Sequence, residues 1–230
     1  MTFHLLSLIL AGILSIADYI TEYIFPEKIK KNQKLISFSA GVAIAYIILK
    51  LFPEISSSAV IEGKTIFLYA LLGFVSLNLV EQYIYKGVEN KKNSFTYHKR
   101  MHVAYFFIYN FFIGMILVNF ASKGLMQAFL FFVPFLLYII IKTLPQEFNF
   151  KHGTSKFLYS SASLFGAYIG IAYLEFTMSI FGELISFITG TLLYSVIRES
   201  LPSEKTERPL YFMLGVVFYA LIIIAGWYLI

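Results

Sequence analysis

The sequence predicts an all-α integral membrane protein, one polytopic domain over residues 1–230 with eight transmembrane helices. Three observations predict it. Hydrophobic residues make up 59% of the chain and charged residues 13%, where a soluble domain carries about 25% charged residues, and the mean hydropathy is +0.76. Apolar runs near the roughly 20 residues needed to cross a hydrocarbon core recur along the whole chain. Lys and Arg gather in alternate connections between those runs.

The first run, 3–25, is apolar from its start and lacks the basic leader of a signal peptide, so it reads as a retained span. FPEKIKKNQK separates it from the second, 35–52. The others are 66–86, 102–120, 125–147, 157–175, 179–200 and 209–230, with hinges such as FASKG and LPSEKTER. LEFTMSIFGE, between the sixth and seventh, is the weakest separator.

With the N-terminus outside and the spans alternating, the inward connections hold Lys28, Lys30, Lys31 and Lys34, then Lys86, Lys91, Lys92, Lys99 and Arg100. Lys142, Lys151 and Lys156 follow, then Arg198, Lys205 and Arg208. Only Lys50, Lys64 and Lys123 of the 18 basic residues remain on the outward side. The excess of basic residues in cytoplasmic loops therefore predicts a multi-pass protein of the cell membrane with both termini outside. The net charge of +5 follows from this topology rather than from nucleic-acid binding. The expected partner is the lipid bilayer, and a homodimer is compatible with the chain. There are no cysteines, which excludes disulfides, thiolate metal sites and cysteine nucleophiles. No P-loop, GxGxxG or nucleophile constellation occurs, so an enzyme is not expected.

Two segments match. GVAIAYIILKLFPE (41–54) and GTLLYSVIRESLPSE (190–204) each place a glycine twelve residues before a proline, Gly41 to Pro53 and Gly190 to Pro202. Each carries a tyrosine in mid-segment (Tyr46, Tyr194) and a charge three before the proline (Lys50, Glu199). A glutamate follows both prolines, Glu54 and Glu204. The second span runs outward and the seventh inward, so the match reads as an inverted repeat, common in secondary transporters.

These residues resemble the ZIP (Zrt/Irt-like) metal permeases. The second span is similar to their helix ending in H-L-L-P-E, and the seventh to their G-T-F-L-Y…L-P-E helix. The resemblance implies eight spans with both termini outside, and an inverted repeat of helices 1–3 and 6–8 around helices 4 and 5. It also implies metal transport, with ligands in motifs like H-N-x-P-D-G on the fourth helix and H-E-x-P-H-E on the fifth. Here the fourth reads Tyr109-Asn110-Phe111-Phe112-Ile113-Gly114 and the fifth Lys142-Thr143-Leu144-Pro145-Gln146-Glu147. The carried-over metal set is therefore Asn110, Gln146 and Glu147. Zinc needs imidazole, thiolate or carboxylate donors at about 2 Å, and an ammonium at Lys142 repels the ion. Harder ions accept amide and carboxylate oxygens, but this is a degraded site. Pro134 is the alternative counterpart of the family proline, and with it no fifth-helix ligand survives.

Ionisable residues inside a membrane default to functional roles, so Lys50, Tyr109, Lys142, Glu183 and Glu199 are candidates to line a transport pathway. Glu183 fits the pathway and the outer interface equally. Asp18, Glu22 and Glu81 read as juxtamembrane ion pairs. His98 and His102 are spaced as ligands on a helix could be, but Lys99 and Arg100 between them favour an interfacial role, as expected also for His4 and His152. Ser160, Ser161, Ser163, Gly166 and Gly170 read as a close-packing surface. The 17 tyrosines and 25 phenylalanines read as lipid-facing or interfacial. Inversion separates Lys50 from Glu199, which leaves Glu54 as the nearest partner for Lys50.

Two functions follow. One is a ZIP-like transporter of metal cations with an altered site, a divalent ion entering as substrate and no resident cofactor. The other is a non-transporting relative acting as a scaffold or partner subunit.

Overall fold

The computed structural model describes residues 2–24, 32–89, 94–141, 157, 159–200 and 209–229. Among them every regular element is helical. Helices α1 (Thr2–Ile24), α2 (Gln33–Tyr46), α3 (Phe52–Glu62), α4 (Ile66–Glu89), α5 (Ser94–Ser122) and α6 (Leu125–Ile141) come first. They are followed by α7 (Ala162–Ala172), α8 (Leu174–Ser179), α9 (Phe181–Ser195) and α10 (Pro209–Leu229). Among the described residues six helices are long and apolar enough to cross a membrane, and α6 and α7 are shorter apolar helices. Large apolar side chains cover the outer surface, among them Leu5, Leu71, Phe218 and Leu221, each more than half exposed. Water penalises such a surface, whereas hydrocarbon does not. The chain is a multi-pass, all-α membrane protein.

Expected boundaries move at several places. Helix α5 begins at Ser94 rather than 102. Within LEFTMSIFGE, LEFTMS is a short helix of its own, α8, set off by non-helical backbone at Tyr173 and Ile180, and FGE opens α9. The second span does not end at Pro53: α2 continues through a π-helical turn, Ile47–Leu51, into α3, giving one continuous helix over Gln33–Glu62. Proline lacks an N–H, and its ring clashes with the carbonyl four residues back. The π turn, in which the Phe52 N–H bonds the Ile47 carbonyl, inserts the extra residue that relieves this clash. A second π turn, Val196–Ser200, follows α9. Each begins six residues after its motif glycine, Gly41 or Gly190, and stops two before its proline.

Those glycines also set the packing. At Gly41 a Cβ would strike the Phe212 carbonyl of α10, and at Gly215 it would strike the Phe38 carbonyl of α2. Gly190 and Gly73 face the Ala70 and Phe187 carbonyls across the α4–α9 crossing, and Gly114 and Gly166 face Ser163 and Phe111 across α5–α7. In all six cases the struck carbonyl lies three residues before the opposite glycine. Close backbone approach of this kind is what small residues supply where lipid provides no hydrophobic drive. The expected packing role of the sixth span is met: the Ser163 and Ser15 hydroxyls share a 2.8 Å hydrogen bond, and Ser163 Oγ donates to the Ala11 carbonyl at 3.2 Å.

The crossings sort the helices into two groups. One holds α2–α3, α4, α9 and α10; the other holds α1, α5, α6 and α7. Between them lies an aromatic seam. Tyr46, Tyr109, Tyr219, Phe106, Phe120, Phe131 and Phe135 are fully buried, contrary to the expectation that the aromatics lie at lipid or interface. The groups meet there without paired glycines, and rings fill the space between them.

Gly41→Ala should destabilise the protein in detergent by about 1–3 kcal/mol, the usual cost of overpacking. Gly12 meets nothing within 4 Å, so Gly12→Ala should leave the melting temperature unchanged or raise it. Thermal unfolding of both variants checks this.

Candidate functional site

The Tyr46 ring lies edge-on to Phe135, Tyr219 and Phe131, with centroids at 6.3, 6.1 and 6.4 Å. Phe120 stacks on Phe131 at 5.0 Å, and further along Tyr109 lies 6.3 Å from Tyr138. Hydroxyls stitch this seam. Tyr138 and Ser195 share a 3.0 Å hydrogen bond across it, and the Tyr105 hydroxyl reaches Ser76 at 3.1 Å and Thr191 at 3.2 Å.

Tyr219 solves a local problem. Pro134 lies inside α6 and has no N–H to give the carbonyl four residues before it, that of Leu130. Tyr219 Oη, from α10, donates to the Leu130 oxygen at 2.6 Å. A buried backbone acceptor orphaned by proline thus gains a partner from the other helix group.

Asn110 is buried on α5, one residue after Tyr109 and one turn before Gly114, whose Cα lies against the Ser163 backbone. Lys142, Pro145, Gln146 and Glu147 lie outside the described residues, as does His152. The side chains of Glu22, His98, His102 and Glu199 are likewise outside them. Of the carried-over metal set, only Asn110 is placed. Among the described residues no three His, Cys, Asp or Glu side chains come together to hold a metal ion. Pro134 is the proline that the structure puts within the fifth helical run.

The charged residues gather toward the ends of the seam. At one end Lys50 Nζ lies 3.7 Å from Glu54 Oε2, its nearest expected partner. Lys123, in the turn between α5 and α6, pairs with the other oxygen of the same carboxylate. It also lies 4.6 Å from the Phe181 ring centroid and 5.4 Å from that of Phe120. Nearby, Glu183 stands in the first turn of α9, and the Glu62 carboxyl at the end of α3 lies against Gly182. This places Glu183 at a helix end rather than within the aromatic seam.

The other end holds a network around Glu81, with Asn78 and Gln82 as members that the sequence does not single out. Arg198, in the second π turn, pairs with Glu81 of α4. Arg198 also donates to the Tyr194 hydroxyl. Tyr194 Oη is 3.1 Å from both Glu81 Oε2 and Asn78 Oδ1, its single proton serving one acceptor at a time. Gln82 Nε2 donates to Asn78 Oδ1 at 3.1 Å. The expected ion pair for Glu81 is present, but its partner comes from a helix more than a hundred residues away. Arg198, the neighbour of Glu199, carries the cation. The only advance signal was that the π-turn motif bears adjacent charges there.

Compared with known protein families, curated proteins and solved structures, the chain matches none of them.

Tyr219→Phe should cost about 1–3 kcal/mol, the penalty of leaving the Leu130 carbonyl unpaired. In a Pro134→Ala background the backbone N–H restored at that position supplies the bond, and the same substitution should cost much less. A double-mutant cycle on unfolding in detergent reads the difference.

Proposed function

We propose that the protein is a ZIP-like membrane transporter of cations, built from an inverted repeat and working with an altered metal site. The observation that carries this reading is the pair of π turns. Both motif segments run six helical residues from a glycine locked against a neighbouring backbone, widen into a π turn at the same register, and deliver a charge just before a proline. Proline-bearing helices in matching halves are a pointer to a transport site, and π turns concentrate at functional sites. In this reading all eight apolar helices span the bilayer, both termini lie outside, and the two glycine-locked groups move against each other along the aromatic seam. Asn110, with Gln146 and Glu147, contacts the ion, whose weak amide and carboxylate donors suit a harder ion better than zinc.

A second reading, a non-transporting scaffold or partner subunit, is favoured by one observation. The rings of Tyr46, Phe120, Phe131 and Phe135 fill the seam where an ion would pass, and none offers a negative charge.

Uptake of zinc, manganese, cobalt and cadmium into proteoliposomes separates the two. Transport predicts entry of at least one ion above protein-free vesicles, reduced at least about tenfold by Asn110→Ala or Glu147→Ala, as for loss of one ligand or its support. No entry of any ion would sink transport of these metals and leave the scaffold reading. Entry undiminished in both variants would overturn the ligand assignment.

A further inference from the structure

We infer that Lys123 is a bolt that locks one end of the seam between the two helix groups, and that Lys50 holds the bolt's socket when it is withdrawn. Lys123 belongs to the turn between α5 and α6, so it moves with the group α1, α5, α6 and α7. Both of its partners across the seam belong to the other group: the Glu54 carboxylate on α3 and the Phe181 ring that opens α9. An ion pair and a cation–π contact therefore converge on one ammonium, and each must break for this end to part.

The geometry also allows the bolt to leave. The Lys123 side chain is 44% exposed, so its ammonium can pass to water, whereas the Glu54 side chain is 17% exposed and would be left half-buried as a bare charge. Lys50 meets that need. It stands one turn before Glu54 on the same continuous helix, 3.7 Å from the second carboxylate oxygen. Its contact therefore survives any movement of one group against the other. Glu54 keeps a counter-ion whether the bolt is home or withdrawn, which lowers the cost of switching. This accounts for a lysine inside an apolar helix better than an isolated surface pair does. Toward the opposite end, the pair of Glu81 and Arg198 joins two helices of one group.

The bolt deepens the transport reading, because it names what keeps one mouth shut, but it is measured without flux. The chain has no cysteine, so a single introduced one reports local opening. Ile185 is fully buried one turn beyond Phe181, and Ser195 bonds Tyr138 across the seam farther along α9. Maleimide labelling of Ile185→Cys and Ser195→Cys is followed in permeabilised vesicles, where orientation does not matter. Lys123→Gln and Glu54→Gln should each speed labelling of the Ile185 reporter about tenfold, the scale of one ion pair plus one cation–π contact. The Ser195 reporter should not change. Lys123→Arg should keep the parent rate, and Lys123→Met, which retains the apolar stem, should behave as Lys123→Gln. Unchanged labelling at Ile185 in both Lys123→Gln and Lys123→Met overturns the bolt, and so does an equal rise at both reporters, which is general loosening. Absent ion flux with selective labelling would remove the transport reading and leave the bolt standing.

Discussion

Three pairs of helices in this protein meet backbone to backbone, and the rest of the architecture follows from those contacts. In hydrocarbon, helices gain nothing by hiding apolar surface from one another, so association relies on close van der Waals approach and polar bonds. Glycines at positions 41 and 215, 73 and 190, and 114 and 166 permit that approach by lacking the Cβ that would strike the opposing carbonyl. Where paired glycines meet, two helices become one unit. Where they do not, the space between helices must be filled. Phenylalanine and tyrosine fill it, which is why so many rings are buried in a protein whose outer surface could have carried them.

Prolines show the same dependence on tertiary context. Pro53 sits in an uninterrupted helix because a π turn makes room for its ring, and Pro134 sits in another because a tyrosine from a different helix group answers the carbonyl it orphans. Two prolines in similar apolar surroundings thus have different solutions, one local and one long-range. The long-range one leaves a polar bond running across the seam, in company with those of Tyr105 and Tyr138. The seam is therefore dry at its rings yet tied by hydroxyls, a surface with discrete bonds that can be broken and remade.

Local patterns proved legible and pairings between distant segments did not. The ion pair of Lys50 with Glu54 could be read directly, because Glu54 is the nearest carboxylate along the chain. The partner of Glu81 could not, because nothing in α4 indicates which later basic residue returns beside it. Gly41 and Gly190 stood out as motif residues, but their partners Gly215 and Gly73 carry no mark in the sequence, since a glycine in an apolar run looks the same whether it faces lipid or another backbone. Of the metal set carried from the ZIP resemblance, Asn110 is buried beside aromatic residues, and the other two positions lie outside the described residues.

The sequence by itself determined that this chain is a helical membrane protein, where most of its helices begin and end, and that two of its segments share a pattern. Those properties depend on composition and on neighbours along the chain. Only the tertiary structure decided which helices lock together, how the shared pattern widens into π turns before its prolines, and that Lys123 reaches across to Glu54 and Phe181. Each of these depends on what a side chain meets after folding, and that partner comes from a segment that the chain reaches only by crossing the bundle again.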